Sequence, residues 1–463
     1  MLQSLLLTIT FFVATSSVLQ EEDDRSRPPS AAGGAAIHLA AESGDLLALA
    51  AELESGVDVN VAFESEDGRR TGLTPLHFAA AHNHVDALNH LLEAGADPTL
   101  TNANGSPPLF FACYADDSDC VRRLLEVGVD VHAVNKFRTT ALMMAAAFGP
   151  VDSVEALLES GADLNARDDD DTSALLFAAS SNRFDLVQRF MQDGAEISGF
   201  DLQEFNVLMY AVVNRRINVI PRLLEAGADV HATSKSGYDT LGVAAYTGYD
   251  DVALLLLEAG AEVNHAGYKG RTALQWAATH GHPDMIRLLL DAGARLDDRD
   301  STRHTALMWA ALYGDVETMR VLVEAGAQLN LISEEDGHAL CMAIVSGDSK
   351  KVQYLLDHGA MINLGTRQGM TPLMYAAMHD QANIVEMLLV FGSKIDRQDL
   401  WGRTSLMLAA EYSTPRAVQV LLRTGANPFL TDDEEETALD YVNHRDDDNI
   451  TRITGILEKA MLD

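Results

Sequence analysis

Thr74-Pro75-Leu76-His77-Phe78-Ala79-Ala80 opens a unit whose leucine returns every 33 residues, at Leu109, Leu142, Leu175, Leu208, Leu241, Leu274, Leu307, Leu340, Leu373, Leu406 and Leu439. A glycine keeps the same period, from Gly95, Gly128 and Gly161 onward to Gly425. Two columns locked to one spacing define a stacked repeat, in which each unit buries its apolar face against its neighbours.

Working outward from the leucine, alanine stands three residues on, from Ala79 to Ala409, with Val442 the exception. A small side chain there lets one helix lie close against the next. Apolar pairs follow, as in Leu91-Leu92, Leu124-Leu125, Leu223-Leu224, Leu289-Leu290 and Leu421-Leu422, and supply a core-facing stripe. From Ile286 to Ala294 an apolar helix runs into Asp-Ala-Gly-Ala, where glycine suits the left-handed residue beyond a helix C-terminus. Thr140, Thr272, Thr305 and Thr404 are placed to cap the first helix through their hydroxyls. Each unit therefore reads as helix, turn, helix and extended finger.

The motif residues carry a resemblance. Thr74 to Ala80 has the T-P-L-H-x-A pattern of the ankyrin repeat, Thr371-Pro372-Leu373-Met374-Tyr375-Ala376-Ala377 nearly repeats it, and Ile37 in Ala36-Ile37-His38-Leu39-Ala40-Ala41 opens a first unit. The chain resembles an ankyrin-repeat protein over residues 35–463, about thirteen repeats. The resemblance implies an all-α repeat solenoid of helix-turn-helix units with β-hairpin-like fingers, terminal repeats acting as caps. It also implies a non-catalytic scaffold that binds a protein through a concave groove and finger tips. One departure stands out: the family's histidine after the leucine, kept at His38 and His77, gives way to Met143, Met209, Met308, Met374 and Met407. The hydrogen bonds of that histidine to the turn are expected to be missing there.

Composition fits a solenoid, with 47% hydrophobic and only 6% aromatic residues and no Pro- or Gly-rich linker inside the array. One elongated domain is expected. The amino terminus differs. Residues 1–20 carry no charged side chain, and the apolar run Leu5 to Val13 ends in Ala14-Thr15-Ser16-Ser17. That run suits the hydrophobic region of a signal peptide, although no Lys or Arg precedes Leu5. The expectation is export to a periplasmic or secreted location, the alternatives being an uncleaved membrane anchor and a cytoplasmic protein. Residues 21–34 read as a flexible tether.

Charge narrows the partners. The 69 acidic residues against 33 basic ones leave a net charge of −36, which repels a nucleic-acid backbone and favours a protein partner, a basic one included. The acidic clusters Asp168 to Asp171, Asp432 to Glu436 and Asp446 to Asp448 read first as solvated tips and loops. No H-E-x-x-H, G-x-S-x-G, phosphate-binding glycine loop or C-x-x-C pair is present, so neither catalysis nor a cofactor is expected. His82-Asn83-His84 and His280-Gly281-His282 fall where a turn joins two helices, and a structural role outweighs metal binding. Cys113 and Cys120 share one unit, leaving two readings: a disulfide in an exported protein, or two small buried thiols. Cys341 reads as core.

Binding residues are sought on the variable positions. Two residues after the leucine stand Phe78, Phe111, Phe177, Tyr210, Trp276, Trp309, Tyr375 and Tyr441, read as plugs between helix and finger. Five and six residues after it, Phe148, Tyr246, Leu312, Tyr313 and Tyr412 form the expected contact floor, with partial burial under the fingers as the alternative. Trp401, on a finger tip, is expected to be exposed unless a partner covers it. The first finger holds six extra residues within Phe63 to Gly72. A second functional reading is an exported stress-protection protein that sequesters metal or oxidant through the methionine column and the acidic tips.

Overall fold

The computed structural model describes residues 36–63, 71–334 and 337–462. The expected signal peptide and tether, and most of the extra residues of the first finger, lie outside them. The chain divides into two compact units, Met1–Lys235 and Ser236–Asp463. Within each, short helices alternate in pairs, for example Ala141–Ala147 with Val151–Glu159, and Ala273–His280 with Pro283–Asp291. Among the described residues there is no strand, only the isolated antiparallel bridges Val134–Thr140, Arg167–Ser173 and Thr431–Thr437 at the feet of three fingers. No described helix is long and apolar enough to cross a membrane.

Local chemistry explains where helices start and stop. The hydroxyls of Thr140, Thr371 and Thr404 accept the N–H of Met143, Met374 and Met407 at 3.3 Å. Pro75 and Pro372 occupy the first helical position, where a missing N–H costs nothing. At the far end of Pro283–Asp291, Gly293 turns left-handed at φ 91°, and Ala294 N–H reaches back to Leu289 O at 2.9 Å.

The core follows the columns. The alanines from Ala79 to Ala409 are fully buried. In the second helices only the first leucine of each pair, Leu91, Leu124, Leu223, Leu289 or Leu421, is fully buried, and its successor is half-covered. A 3.6-residue helix rotates consecutive residues about 100° apart, so the two cannot face the same neighbour equally.

The histidine column shows what the methionines do. His77 Nδ1 accepts Thr74 N–H at 3.0 Å and Nε2 donates to Ser106 O at 3.2 Å, tying helix to cap and to the next finger. Burial pushes this imidazole down to about 4, so it is neutral at pH 7. In the methionine units the expected loss is only half realised. Thr140, Thr371 and Thr404 donate their N–H groups to the sulfurs of Met143, Met374 and Met407 at 3.4, 3.3 and 3.2 Å. The thioether replaces the acceptor nitrogen but has no proton for the next finger. Gln275 replaces both halves: its Oε1 accepts from Thr272 N–H at 3.0 Å, and its Nε2 donates to His304 O at 2.9 Å.

A further set of side chains caps the carbonyls at the first helix's end from the following repeat. His84 Nε2 meets Glu42 O at 2.9 Å and His282 Nε2 meets Tyr246 O at 3.0 Å; a carbonyl only accepts, so both nitrogens carry the proton. Arg183 does the same to Ala145 O and Ala146 O at 2.6 and 3.0 Å, and Lys351 to Ala311 O at 3.1 Å. His84 and His282 are thus structural turn residues.

The disulfide considered for Cys113 and Cys120 is not formed; both are buried free thiols, as is Cys341. Cys120 Sγ lies 3.9 Å from Ala79 O of the preceding repeat.

Candidate partner-binding surface

The fingers are built on a column the sequence reading passed over. Asn102, Asn135, Asp168, Asp201, Asp300, Asp399 and Asp432 each stand seven residues before a repeat leucine. One side-chain oxygen accepts the backbone N–H groups two and four residues on, as Asn135 does from Phe137 and Thr139 at 3.0 Å and Asp300 from Thr302 and His304 at 2.9 Å. Successive tips are then linked by one backbone bond, including Lys136 N to Asn104 O at 2.9 Å and Asp433 N to Trp401 O at 3.0 Å.

The aromatic column completes this loop. Tyr210 and Tyr441 donate their hydroxyls to the second oxygen of Asp201 and Asp432 at 2.6 Å, and Trp309 Nε1 donates to Asp300 at 2.9 Å. The plug reading holds for Phe78, Phe177, Tyr210, Trp276 and Tyr441, which are buried. The polar tips of the tyrosines and of Trp309 add a bond that a count of aromatics could not show.

Asp168 lacks this bond, because Phe177 stands where Asp201, Asp300 and Asp432 meet a donor. Burial, with Asp170 and Asp169 adding to it, pushes its carboxyl up to about 6 although two backbone N–H groups oppose the shift. Between pH about 4 and 6 the folded state holds a proton that the unfolded chain has released, so this group's contribution to stability falls as pH rises through that window. Asp168→Asn keeps both loop bonds, as Asn102 and Asn135 do. It is expected to gain about 1 kcal/mol at pH 7, after allowance for screening of a half-exposed group, and nothing at pH 4. Urea melts at both pH values measure this; an unchanged midpoint at pH 7 would rule it out.

Five of the six expected contact residues stand at the ends of first helices. Six residues after the leucine, Phe148, Tyr313 and Tyr412 are exposed. The position five after it is half-covered, and Tyr246 and Leu312 are intermediate. Phe148 belongs to the first unit, stacked on Tyr114 at 5.4 Å. Trp401 is exposed on its tip as expected, with the Arg403 guanidinium 4.6 Å from its ring and Arg403 Nε on Asp399 at 2.8 Å.

In the second unit the rings are joined by a residue the sequence reading did not single out. The Arg271 guanidinium lies 4.8 Å from the Trp276 ring and 3.6 Å from the Trp309 ring, and its Nε is 3.6 Å from the carboxylate of buried Asp300. On one side Tyr246 meets His280 edge-on at 4.0 Å, and His280 is pushed down to about 4 by burial, then by His282 and Arg271, so the ring is neutral. On the other side Tyr313 stacks on Trp309 at 5.9 Å and 12°. Tyr238 stacks on Tyr268 at 5.3 Å, and burial raises its phenol to about 12. Tyr246 and Tyr313 therefore share one rigid wall, whose outer ring, Tyr313, is 63% exposed.

A family description reading ankyrin repeats (3 copies) matches residues 16–102, 90–168, 165–234, 241–333 and 330–399, and a second, ankyrin repeats (many copies), matches 392–442. Among solved structures, the crystal structure of the human ASB11 ankyrin repeat domain is similar at 25% identity over 48% of this chain and 98% of that chain, with a TM-score of 0.44. Helix pairs, left-handed glycines, looped fingers and family matches along most of the sequence all say the same thing: the chain belongs to the ankyrin-repeat family.

Proposed function

We propose that this chain, a protein–protein interaction module by its repeats, engages its partner through residues 236–463, using the open first-helix ends and the tip at Trp401. The observation that carries the reading is the Tyr313 ring, exposed yet held on Trp309, which Arg271 and Asp300 fix in place. Aromatic rings pre-set in this way lose little freedom on binding, and such residues anchor interfaces. A net charge of −36 favours a partner of opposite sign at this surface. The uncharged segment of residues 1–20 supports an exported location, which cell fractionation tests. The metal- or oxidant-sequestering alternative is the weaker reading, because Met143, Met308, Met374 and Met407 are buried and three of their sulfurs already accept N–H groups.

The test is capture from the exported fraction of the source cells by the full chain and by a variant with Tyr246, Tyr313, Trp401 and Tyr412 changed to alanine. Both baits are first matched for helical content and melting. A protein retained by the native chain and reduced at least tenfold on the variant supports the surface. Equal retention by both would remove these residues from the interface.

A further inference from the structure

A second surface lies at the opposite ends of the repeats, where the second helices finish, and it is marked by a change in two charged columns. Seventeen residues after the leucine every unit from Glu93 to Asp357 carries an acid, Gln192 excepted; the next two units carry Val390 and Arg423. Twenty-one residues after it the acids Asp97, Asp130, Asp163, Glu196, Asp229 and Glu262 give way to Arg295 and Gln328 and then to Met361 and Lys394. Residues 349–430 hold eight Lys and Arg against six Asp and Glu, in a chain whose net charge is −36.

The structure places these substitutions side by side. Helices Ala382–Val390 and Pro415–Arg423 pack together, each ending on the residue that breaks the acidic column. The loops below them are tied in series. Asn363 accepts Lys394 N–H at 2.9 Å, Arg397 Nη1 donates to Asn363 O at 2.8 Å, and Asp396 accepts Asn427 N–H at 2.9 Å, two residues before Phe429. Val390 is 80% exposed, and Phe391, Met361 and Phe429 are exposed with it. Lys394 and Arg423 are exposed on the same row; the nearby acids are Asp396, two residues beyond Lys394 and holding Asn427 N–H, Glu386, one turn before Val390, and Asp357, one repeat back.

We infer that this face, Met361, Val390, Phe391, Lys394, Arg423 and Phe429, docks an acidic protein segment that presents apolar side chains. Replacing acids by both apolar groups and cations suits a ligand with the matching combination. The alternatives are disfavoured by range. An anionic membrane, or a second copy of the chain, brings its charge against the whole acidic array, while a short segment feels only charges within a Debye length of about 8–10 Å.

The experiment uses the full chain and Val390→Glu/Lys394→Asp, which gives this unit the acids that other units carry and so leaves the fold intact. Fluorescence anisotropy is followed with a labelled 16-residue peptide of alternating Glu and Leu or Phe, and with its Lys-for-Glu counterpart. The acidic peptide is expected to bind the native chain, to weaken at least tenfold with the variant, and to weaken again as salt rises; the Lys peptide is expected not to compete. Absence of binding, equal binding by both proteins, or preference for the Lys peptide overturns the inference. So does a variant-sensitive gain of binding to phosphatidylserine vesicles or of self-association in sedimentation, without peptide binding. The four aromatic residues of the first surface are untouched, so the two proposals fail separately.

Discussion

Asp300→Ala is expected to destabilise the second unit by about 3–5 kcal/mol, the cost of breaking a buried pair while leaving its partners in place. One carboxylate oxygen accepts the N–H groups of Thr302 and His304 at 2.9 Å and the Thr302 hydroxyl at 2.7 Å. The other accepts Trp309 Nε1 at 2.9 Å and lies 3.6 Å from Arg271 Nε, with the side chain only 2% exposed. Alanine strands two finger N–H groups and an indole N–H, and leaves a guanidinium wedged between two rings without its counter-charge. Asp300→Asn is expected to lose about 1–2 kcal/mol, since Asn102 and Asn135 hold the same loop but an amide does not balance Arg271. Because repeat arrays can unfold in stages, the measurement is hydrogen exchange across residues 268–313 alongside the urea midpoint. If both variants stay within about 0.5 kcal/mol of the native chain, the Arg271–Asp300 wall is not what fixes Tyr313.

Arg445→Ala is expected to free the last helix, Ile450–Leu462, at a local cost of about 2–4 kcal/mol. The guanidinium is 4% exposed, and its Nη1 donates to Ala410 O, Glu411 O and Ser413 O at 3.0, 2.8 and 2.9 Å. These are carbonyls at the end of the Ser405–Tyr412 helix, which otherwise have no partner within that helix. Its Nε and Nη2 hold Asp447, whose carboxyl is drawn down to about 2 chiefly by that hydrogen bond. The depressed value means this tie is present above the usual Asp range near 4 and is lost as pH falls toward 2. Hydrogen exchange should quicken throughout 450–462 in the variant at pH 7. Arg445→Lys should protect only partly, since an ammonium lacks the guanidinium's rigid fork. Unchanged exchange in the alanine variant would show that Ile453 and Leu457, both buried, hold the helix without it.

The columns that set the fold were legible because their chemistry is local. Thr140, Thr371 and Thr404 cap the next turn of their own helices, Gly293 supplies a left-handed residue that a side chain would strain, and the buried alanines space the helices. The candidate surface was legible only in part. Trp401, Tyr313, Tyr412 and Phe148 are exposed, yet Tyr246 and Leu312, one residue earlier in the repeat, turn under cover. Arg271 carried no signal in the sequence because its importance lies in the rings of Trp276 and Trp309, which the repeat spacing brings together from two successive repeats.

By itself the sequence determined the period, the order of helix, turn, helix and finger, and the alanine and leucine columns of the core, since each is fixed by the residue's own backbone preference or by the face it occupies on one helix. It also fixed the net charge of −36. Only the tertiary structure decided that a methionine sulfur accepts the cap N–H, that Cys120 lies as a free thiol against Ala79 O, and that Asp300, Trp309 and Arg271 make one support for Tyr313. Those outcomes depend on direction and distance between neighbouring repeats, and a hydrogen bond or ring contact exists only where both are satisfied.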